Sequence, residues 1–378
     1  MRIGIDATAL PLQPVGAGIY MINLVRALAA VNERDELAIF THPAGRKQMA
    51  VQESKHFRWA VVPDKSILRR LFWEQIGLPR LVGKMRLDLL HSLHYTRPLR
   101  LPCRSVVTFH DMTFFLYPQL HTRSKQAFFP LTIRASARSA DAIIAVSEST
   151  RADSIRLLGI PGEKIIATPL GVDPAFRPIR DLESLDVVRQ RYNLPDRFIL
   201  YVGLVEPRKN LSGLIRAYRS ALEGGIAHRL VVVGRFGWSY QQVLDEIEAL
   251  GLQERVQFTG YIPQADLPIV YNLASLFVYP TLYEGFGLPA LEAMACGTPV
   301  VTSNVASLPE IIGEAGVLIP PGDQQALSQA LQDVLSDPGL QTHLAIKGPQ
   351  QASQFTWERT ARQTLQVYRQ VLANSGKA

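Results

Sequence analysis

Hydrophobic positions along the chain form short apolar runs that alternate with stretches of helical periodicity. The first run covers residues 2–5 and ends at Asp6, and a loop rich in proline and glycine follows at residues 11–18. Apolar residues then recur at helical spacing through residues 19–29, which predicts an amphipathic helix. A buried strand, a glycine loop and a helix in this order are typical of the opening unit of a doubly wound α/β fold.

The same alternation continues through the first half of the chain. A long helix is predicted at residues 66–85, with a kink near Pro79. Residues 161–180 interrupt the pattern with four prolines, so we predict a loop and a domain boundary there. Further strands are predicted at residues 37–40, 58–62, 89–92, 105–108 and 142–146.

Strands and helices alternate again in the second half. The length of 378 residues also favours two domains. We therefore expect an α/β protein with two Rossmann-like domains, residues 1–178 and 179–355, and a terminal helix within residues 356–378. The strands are predicted at residues 198–202, 229–233, 256–259, 276–279, 299–302 and 316–319, and the helices at residues 211–222, 240–250, 264–274, 289–295, 324–335 and 357–372.

Composition excludes several classes of protein. Apolar residues make up 47% and charged residues 19%, which argues against disorder. Cys103 and Cys296 are the only cysteines in the sequence, which excludes a disulfide scaffold and a cysteine-rich zinc module and fits a reducing cytoplasm. The longest uncharged stretch, residues 7–25, contains prolines and glycines, so we predict neither a membrane-spanning helix nor a signal peptide.

Charge is distributed unevenly between the two halves. Residues 1–180 carry 25 Lys and Arg against 14 Asp and Glu, a net +11, whereas residues 181–378 carry 15 against 19, a net −4. A basic half suits a nucleic acid, an anionic lipid or a phosphorylated ligand, and ordinary solvated surface is the alternative. Nucleic acid is disfavoured, because such binders interleave aromatic and basic residues on one surface, whereas this excess is spread over the whole half.

The densest cluster of candidate functional residues follows a predicted strand, at residues 283–297. Gly285 and Gly287 let the backbone pass close to a ligand, and the N–H groups at the start of the next helix can bind a phosphate. The carboxylates of Glu284 and Glu292 flank this turn and can accept hydrogen bonds from sugar hydroxyls. A helix cap beside a surface glutamate is the alternative for either residue alone.

A second cluster follows the predicted strand at residues 198–202. Gly203, Arg208 and Lys209 lie in the loop beyond it, and ligands in open α/β sheets bind at the carboxyl ends of strands. Two adjacent cations at such an edge are suited to bind a diphosphate. Two solvated charges in a turn are the alternative.

Five motifs carry a resemblance to a known family: Val-Gly-Arg-Phe-Gly-Trp at residues 233–238, Glu-Pro-Arg-Lys-Asn at 206–210, Glu-x7-Glu at 284–292, Gly-Thr-Pro-Val-Val at 297–301 and Leu-Pro-Glu at 308–310. Together they resemble family 4 of the retaining nucleotide-sugar glycosyltransferases, which have the GT-B fold. The first is similar to the branch that contains many mannosyl- and rhamnosyltransferases. The resemblance spans the chain and is most specific at residues 201–323.

The resemblance implies two Rossmann-like domains that face each other across a cleft, with the terminal helix crossing back to the first domain. The C-terminal domain would bind the nucleotide-sugar donor and the N-terminal domain the acceptor. Arg208 and Lys209 would neutralise the diphosphate, and Glu284 would hold hydroxyls of the donor sugar. Glu292 would bind the ribose, and Ile262 would contact the base. The backbone amides near the donor would be those of Gly285, Phe286, Gly287 and Leu288.

Two more sites in the N-terminal half are implied by the same resemblance. Gly16, Ala17 and Gly18 match the family's glycine-rich loop after the first strand and would approach the diphosphate. His110, which follows an apolar strand, matches the histidine at the reaction centre and would orient the donor sugar. We therefore assign catalytic roles to His110, Glu284, Arg208 and Lys209, and donor binding to the other residues.

The implied reaction moves a glycosyl group from a nucleoside diphosphate to a hydroxyl with retention of configuration. Cations and N–H donors would stabilise the charge that develops on the leaving group. Since no carboxylate stands out as a glycosidase-type nucleophile, a same-face mechanism in which the leaving phosphate helps to deprotonate the acceptor is our working hypothesis. The chain contains no Asp-x-Asp motif, and we predict no cofactor and no essential divalent metal.

The family branch favours mannose from GDP-mannose as the donor, and a glycan or a lipid-linked saccharide as the acceptor. A dTDP- or UDP-linked rhamnose or N-acetylglucosamine is the alternative donor. A GT-B phosphorylase, a sugar-nucleotide epimerase and an inactive nucleotide-sugar sensor are less favoured, because the Glu-x7-Glu motif and the assigned catalytic residues occur together.

The basic excess also predicts a surface for the acceptor. Residues 65–73 mix cations with large apolar side chains, a mixture that suits the surface of an anionic membrane. We therefore predict peripheral, salt-reversible binding of a cytoplasmic protein to the inner face of the membrane. The alternative is that Leu68, Leu71 and Phe72 form the buried face of a helix. Further cations follow at Lys84, Arg86, Arg97, Arg100 and Arg104.

Overall fold

The chain forms two units in the computed structural model, which describes residues 1–62, 67–237 and 240–374. The first unit consists of Met1–Gly171 and the segment that begins at Thr356, and the second of Val172–Phe355. The division therefore falls at Gly171, whereas the sequence placed a boundary after residue 178. Outside the described residues lie Lys65, Ser66, Trp238 and the side chains of Ile67 and Leu68.

A parallel sheet of seven strands forms the centre of the first unit, in the order β3-β2-β1-β4-β5-β6-β7. The strands are β1 (Arg2–Asp6), β2 (Glu36–Thr41), β3 (Phe57–Val61), β4 (Leu89–Ser92), β5 (Arg104–Phe109), β6 (Ala142–Ala145) and β7 (Ile165–Ala167). The first six match the predicted strands. The sequence predicted a loop where β7 lies, and this prediction was wrong. The apolar run of β7 is only three residues long and lies between prolines, so its pattern resembles that of a loop.

Among the described residues of this unit, six helices connect the strands: α1 (Ala17–Val31), α2 (Pro43–Met49), α3 (Ile67–Lys84), α4 (Thr113–Leu116), α5 (Arg123–Ser139) and α6 (Glu148–Leu158). The ends of α6 illustrate how the sequence sets the bounds. The Ser147 side chain accepts a hydrogen bond from the Thr150 amide at 3.0 Å, which satisfies an N–H group that has no partner within the helix. Gly159 ends α6 in the left-handed region, with φ 63°, a conformation that glycine adopts without strain.

A parallel sheet of six strands forms the second unit, in the order β10-β9-β8-β11-β12-β13. Its strands, all at predicted positions, are β8 (Phe198–Val202), β9 (Arg229–Val233), β10 (Val256–Gly260), β11 (Leu276–Tyr279), β12 (Val300–Ser303) and β13 (Val317–Ile319). The order changes direction between β8 and β11, and ligands of doubly wound folds bind at such a switch point.

The described part of the second unit contains eight helices: α7 (Leu182–Arg191), α8 (Leu211–Glu223), α9 (Tyr240–Ala249), α10 (Leu267–Leu273), α11 (Leu288–Ala295), α12 (Leu308–Ile312), α13 (Gln324–Ser336) and α14 (Pro338–Ala352). The sequence pattern did not predict α7, α12 and α14. The start of α14 carries clear signals, since the Asp337 side chain accepts from the Leu340 amide at 3.0 Å and Pro338 occupies the first turn.

The terminal helix, α15 (Trp357–Ala373), packs within the first unit, as predicted. The hydroxyl of Tyr368 lies 2.6 Å from Nδ1 of His91, whose Nε2 lies 2.8 Å from the Thr108 hydroxyl. The Thr108 hydroxyl is also 2.9 Å from the Tyr20 hydroxyl of α1. All four side chains are buried, so this hydrogen-bonded chain fixes α15 against α1, β4 and β5 without leaving its polar groups unsatisfied.

Opposite faces of the first sheet carry different helices. His91 and Thr108 point to the α1 and α15 side, whereas Leu90 of β4 packs against Leu78 of α3. The neighbouring Val107 of β5 packs with residues of α5. Helices α3 and α5 therefore lie on the same face of the sheet. No helix in the described part of the chain is both long and apolar enough to cross a membrane.

Candidate functional site

The switch point of the second sheet gathers most of the predicted donor-binding residues. Arg208 and Lys209 lie in a short 3-10 helix, Pro207–Lys209, that follows β8. Glu284 lies in the loop after the neighbouring strand β11. Because β8 and β11 are adjacent and parallel, the loops at their carboxyl ends meet, and the two separate sequence clusters form one site.

Glu284 is the centre of this site. Its Oε1 atom lies 2.9 Å from Nζ of Lys209 and 2.9 Å from Nη1 of Arg208. The same oxygen accepts a hydrogen bond from the Tyr279 hydroxyl at 2.8 Å and one from the Thr281 hydroxyl at 3.3 Å. Only 9% of Glu284 is exposed. Three hydrogen-bond donors and the ion pair with Arg208 hold this carboxylate in a single position.

The electrostatics of the site favour the charged form of Glu284. Burial alone would raise the pKa of its carboxyl, but the charges of Arg208 and Lys209 outweigh burial and lower the pKa to about 2. Burial lowers the pKa of Lys209 despite the attraction of Glu284. Glu206 adds a second carboxylate, 2.9 Å from Nη2 of Arg208. The site thus contains two cations, each already beside a carboxylate.

The absence of a side chain at Gly203 leaves room for the side chain of Lys209. A Cβ atom at this position would lie 3.1 Å from Cδ of Lys209 and 3.6 Å from the Tyr201 hydroxyl. Any side chain here would therefore press on the cation. Behind it, a Cβ atom at Gly234 would lie 2.0 Å from the carbonyl oxygen of Gly203, so the loops after β8 and β9 can approach each other only with glycine at that position.

The loop of Gly285, Phe286, Gly287 and Leu288 leads directly into α11. Gly287 precedes the helix with φ 102°, and no side chain among the described residues caps the helix start. The Ser307 hydroxyl anchors the loop, lying 2.9 Å from the Glu284 carbonyl oxygen and 2.8 Å from that of Phe286. The amides at the start of a helix carry a partial positive charge, which suits an anionic ligand.

Glu292 lies one turn into α11 and is 93% buried, with 7% exposed. The Tyr271 hydroxyl donates to its Oε2 atom at 3.1 Å. Burial, together with the charge of Asp173, raises the pKa of Glu292 to about 8, although the hydrogen bonds from Tyr271 and Gln264 act to lower it. This carboxyl is therefore mostly protonated at neutral pH, unlike Glu284. Ile262, the predicted base contact, is buried just after β10.

Three tyrosines of this region were missed by sequence reasoning. Tyr279 and Tyr271 donate to the two predicted carboxylates, and both look in the sequence like apolar core positions. Tyr201 is fully buried, and its hydroxyl has no hydrogen-bond partner among the described residues. Its place at the carboxyl end of β8, two residues before Gly203, is the signal that could have found it.

The remaining predicted residues lie in the first unit. Gly16 precedes α1 with φ 48°, Ala17 begins the helix, and Gly18 is buried. A Cβ atom at Gly18 would lie 3.0 Å from Cβ of Pro14 and 3.2 Å from Cδ of Pro11. The loop is therefore packed tightly onto the start of α1, and its glycines are required by space at position 18 and by conformation at position 16.

His110 follows β5 and has a defined protonation state. Its Nε2 atom donates to the Leu93 carbonyl oxygen at 2.9 Å, which leaves Nδ1 as an acceptor. The Tyr20 ring meets the imidazole edge-on, with centroids 5.1 Å apart. Burial lowers the pKa of His110 against the effects of Leu93 and Asp111, so the ring is neutral at neutral pH. Among the described residues, no three His, Cys, Asp or Glu side chains are grouped to hold a metal ion.

Comparisons with known proteins cover both units. A model described as Glycosyltransferase Family 4 matches residues 14–176, and one described as Glycosyl transferases group 1 matches residues 186–351. An O-antigen chain mannosyltransferase B from Escherichia coli is 36% identical over 94% of this chain and 96% of that protein. The serotype-specific mannosyltransferase WbdA from Escherichia coli is 32% identical over 75% of this chain and 36% of that protein. The solved structure of a sucrose-phosphate synthase from Thermosynechococcus elongatus is 26% identical, with a TM-score of 0.78 over 99% of both chains.

Proposed function

Since the chain belongs to glycosyltransferase family 4 and has the GT-B fold, we propose that it transfers mannose from GDP-mannose to a saccharide hydroxyl with retention of configuration. The observation that carries the proposal is the buried contact of Glu284 with Lys209 and Arg208 at the switch point of the second sheet. It combines a carboxylate for sugar hydroxyls with cations for a diphosphate in one place.

Binding of the donor would redistribute the contacts of this cluster. A diphosphate near Lys209 and Arg208 would share these cations with Glu284 and Glu206, and the sugar hydroxyls would donate to the carboxylate of Glu284. The amides of residues 285–288 and the start of α11 would add N–H donors. Because these groups are already positioned before the reaction, they can stabilise the charge that develops on the leaving diphosphate without further rearrangement.

The nucleoside would be held by a different kind of group. Glu292 is buried on α11 and accepts a hydrogen bond from Tyr271, and its carboxylate would accept hydrogen bonds from the ribose hydroxyls. Ile262 would lie against the base. A backbone contact to the base would not distinguish guanine from uracil or thymine by a side chain. The choice of mannose is supported by the mannosyltransferase names of two relatives, and GDP is the nucleotide that the resemblance to the mannosyltransferase branch implies.

The acceptor and the mechanism complete the proposal. The name of the O-antigen relative favours a polysaccharide chain as the acceptor, and the acceptor that we propose is such a saccharide, free or linked to a lipid. His110 is neutral and has Nδ1 as an acceptor, so it can receive a hydrogen bond from a donor-sugar hydroxyl. The acceptor hydroxyl would attack the face that the diphosphate leaves and pass its proton to the departing phosphate. In this scheme the cations of the protein serve where other enzymes use a metal ion.

Thermal shift with a panel of nucleotide sugars tests the donor. A ligand at 100 times its dissociation constant stabilises the fold by about 2.7 kcal/mol, and we expect GDP-mannose to give the largest increase in Tm. A larger increase with a dTDP- or UDP-sugar would overturn the choice of donor but not the class of enzyme.

Two variants test the site itself. Lys209→Ala should weaken binding of GDP, whereas its control Lys347→Ala, an exposed lysine of the same unit, should not. Glu292→Ala should weaken binding of guanosine monophosphate as well as GDP, with the exposed Glu254→Ala as control. Unchanged affinity in both Lys209→Ala and Glu292→Ala would contradict the assignment of the nucleotide site to the second unit.

A further inference from the structure

One helix of the first unit exposes apolar and basic side chains on the same stripe. Along α3, Arg69, Phe72, Ile76, Arg80 and Lys84 are spaced by three or four residues and are all exposed. Phe72 is 68% exposed and Ile76 36% exposed. The buried residues of α3, such as Leu78 and Val82, lie on the opposite side in the core. This stripe therefore faces solvent rather than the core of the unit.

A second helix on the same face of the sheet repeats the arrangement. Along α5, Ala127, Leu131, Arg134 and Arg138 form an exposed stripe with the spacing of a helix. Leu131 is 69% exposed, whereas Ile133 is in the core. The sequence pattern did not mark α5 as an interaction surface, because its cations are spread over seventeen residues rather than grouped.

The loop between β4 and β5 joins the two helices. The Gln75 side chain of α3 donates to the Arg97 carbonyl oxygen at 3.0 Å and accepts from the Leu99 amide at 3.0 Å. On the other side, the guanidinium of Arg97 donates to the hydroxyl of Ser139 at the end of α5. Leu99 is 53% exposed. The two stripes and this loop form one surface, which we call the α3–α5 face.

The α3–α5 face carries cations almost without carboxylates. Helices α3 and α5 contain eight Lys and Arg residues and a single acidic residue, Glu74. Glu74 is 1% exposed and pairs with Arg70 at 3.1 Å, so it does not reach the surface. No ion pair of Arg69, Arg80 or Lys84 occurs within residues 1–62, 67–237 and 240–374.

The structure also corrects the surface predicted from the sequence. Arg97 is 4% exposed and is used inside the loop, and Arg104 pairs with Asp141 at 2.8 Å. Arg97 and Arg104 are therefore unsuited to the membrane contact that the sequence predicted for them. The alternative interpretation, in which Phe72 belongs to the buried face of its helix, is wrong as well, since Phe72 lies among the exposed residues of α3.

We propose that the α3–α5 face docks on a membrane surface that bears anionic lipid headgroups. Charge complementarity identifies the occupant, because the five exposed cations of the two stripes fit a negatively charged surface. The exposed side chains of Phe72, Ile76, Leu99 and Leu131 can enter the boundary between headgroups and acyl chains. Phe72 and Ile76 are four residues apart on α3, so two exposed apolar side chains are neighbours among these charges, which is typical of an interaction surface. The proposal rests on the proposed function in one respect: a lipid-linked acceptor would lie in the same membrane.

Co-sedimentation with vesicles tests the docking separately from catalysis. At low ionic strength the wild-type protein should pellet with phosphatidylglycerol vesicles and stay in solution with phosphatidylcholine vesicles. Salt at about 0.5 M should release it, because the Debye length falls to a few ångströms. Absence from the pellet with anionic vesicles at low salt would overturn the proposal, whatever the enzyme transfers.

Variants locate the contact on the face. Arg69→Gln/Arg80→Gln should lower the partition coefficient on anionic vesicles about 25-fold, at about fivefold for each cation. The matched control Arg362→Gln/Arg369→Gln, on exposed positions of α15, should change it less than twofold. Phe72→Ser/Leu131→Ser should lower it about tenfold or more, while Leu182→Ser/Ile346→Ser, at positions 74% and 57% exposed in the second unit, should not.

Transfer to a water-soluble saccharide distinguishes docking from the proposed function. All four double variants should keep this activity and the wild-type Tm, since none of the changed residues belongs to the site. If face and control variants lose vesicle binding equally, the attraction is unspecific and the proposal is wrong. If the face variants bind vesicles like the wild type, the α3–α5 face serves another partner, such as a protein, and the proposal is wrong as well.

Discussion

Replacing Glu284 by glutamine tests the electrostatics of the site. In the folded protein the pKa of this carboxyl falls from 4.5 to about 2, since the charges of Arg208 and Lys209 outweigh burial. That difference corresponds to about 3 kcal/mol of stability at pH 7, at about 1.4 kcal/mol for each pH unit. Glu284→Gln removes this contribution and leaves buried Lys209 without its carboxylate, so we expect a loss of about 3–5 kcal/mol.

The pH dependence of the loss separates charge from packing. A carboxyl whose pKa is lowered in the folded state stabilises the protein above pH 4.5, and its contribution disappears as the pH falls from 4.5 to about 2. Urea unfolding of the wild type and Glu284→Gln should therefore show a difference in the free energy of unfolding that shrinks by about 2 kcal/mol between pH 5 and pH 3. Glu254→Gln, at an exposed position, is the control. A difference that is constant over this range, or absent at pH 7, would show that the charge of Glu284 does not stabilise the folded protein.

Three further predictions concern His110, Glu292 and the requirement for a metal ion. His110→Ala should lower turnover by orders of magnitude with little loss of nucleotide affinity, and near-normal turnover would remove His110 from the catalytic residues. Since burial raises the pKa of Glu292 to about 8 and ribose hydroxyls favour its charged form, nucleotide binding at pH 7 should release a proton; binding enthalpies that do not depend on the buffer's ionisation enthalpy would contradict this. Millimolar EDTA should leave most activity intact, and a loss that is restored by Mg²⁺ or Mn²⁺ would show that a metal is required.

The clustering of the candidate donor-site residues could be predicted from the sequence, because these residues occur in two short segments that follow neighbouring strands. Residues 206–210 and 284–292 are far apart in the chain, but their strands are adjacent in a parallel sheet, whose topology brings their loops together. Glycines and charges at such loops have few structural explanations. The six strands of the second unit were found for a similar reason, since buried parallel strands are continuous apolar runs.

The missed features depend on contacts that a linear pattern does not contain. Tyr279 occupies the last position of an apolar strand, and only the structure reveals that its hydroxyl reaches Glu284. The same holds for the buried chain from Tyr20 to Tyr368, whose members come from four separate elements. Strand β7 is too short for its pattern to outweigh the neighbouring prolines. The tertiary pairing with β6 decides its conformation.

The anomeric configuration of the product, together with the identity of the accepted donor, tests whether this enzyme is a retaining transferase that uses GDP-mannose. The enzyme is incubated with GDP-α-mannose and a synthetic saccharide acceptor that carries a lipid diphosphate, and the product is examined by NMR. We expect release of GDP and a new α-mannosyl linkage, identified by its one-bond carbon–proton coupling at the anomeric position. A β-mannosyl linkage would contradict retention, and transfer from UDP- or dTDP-sugars but not from GDP-mannose would contradict the proposed donor.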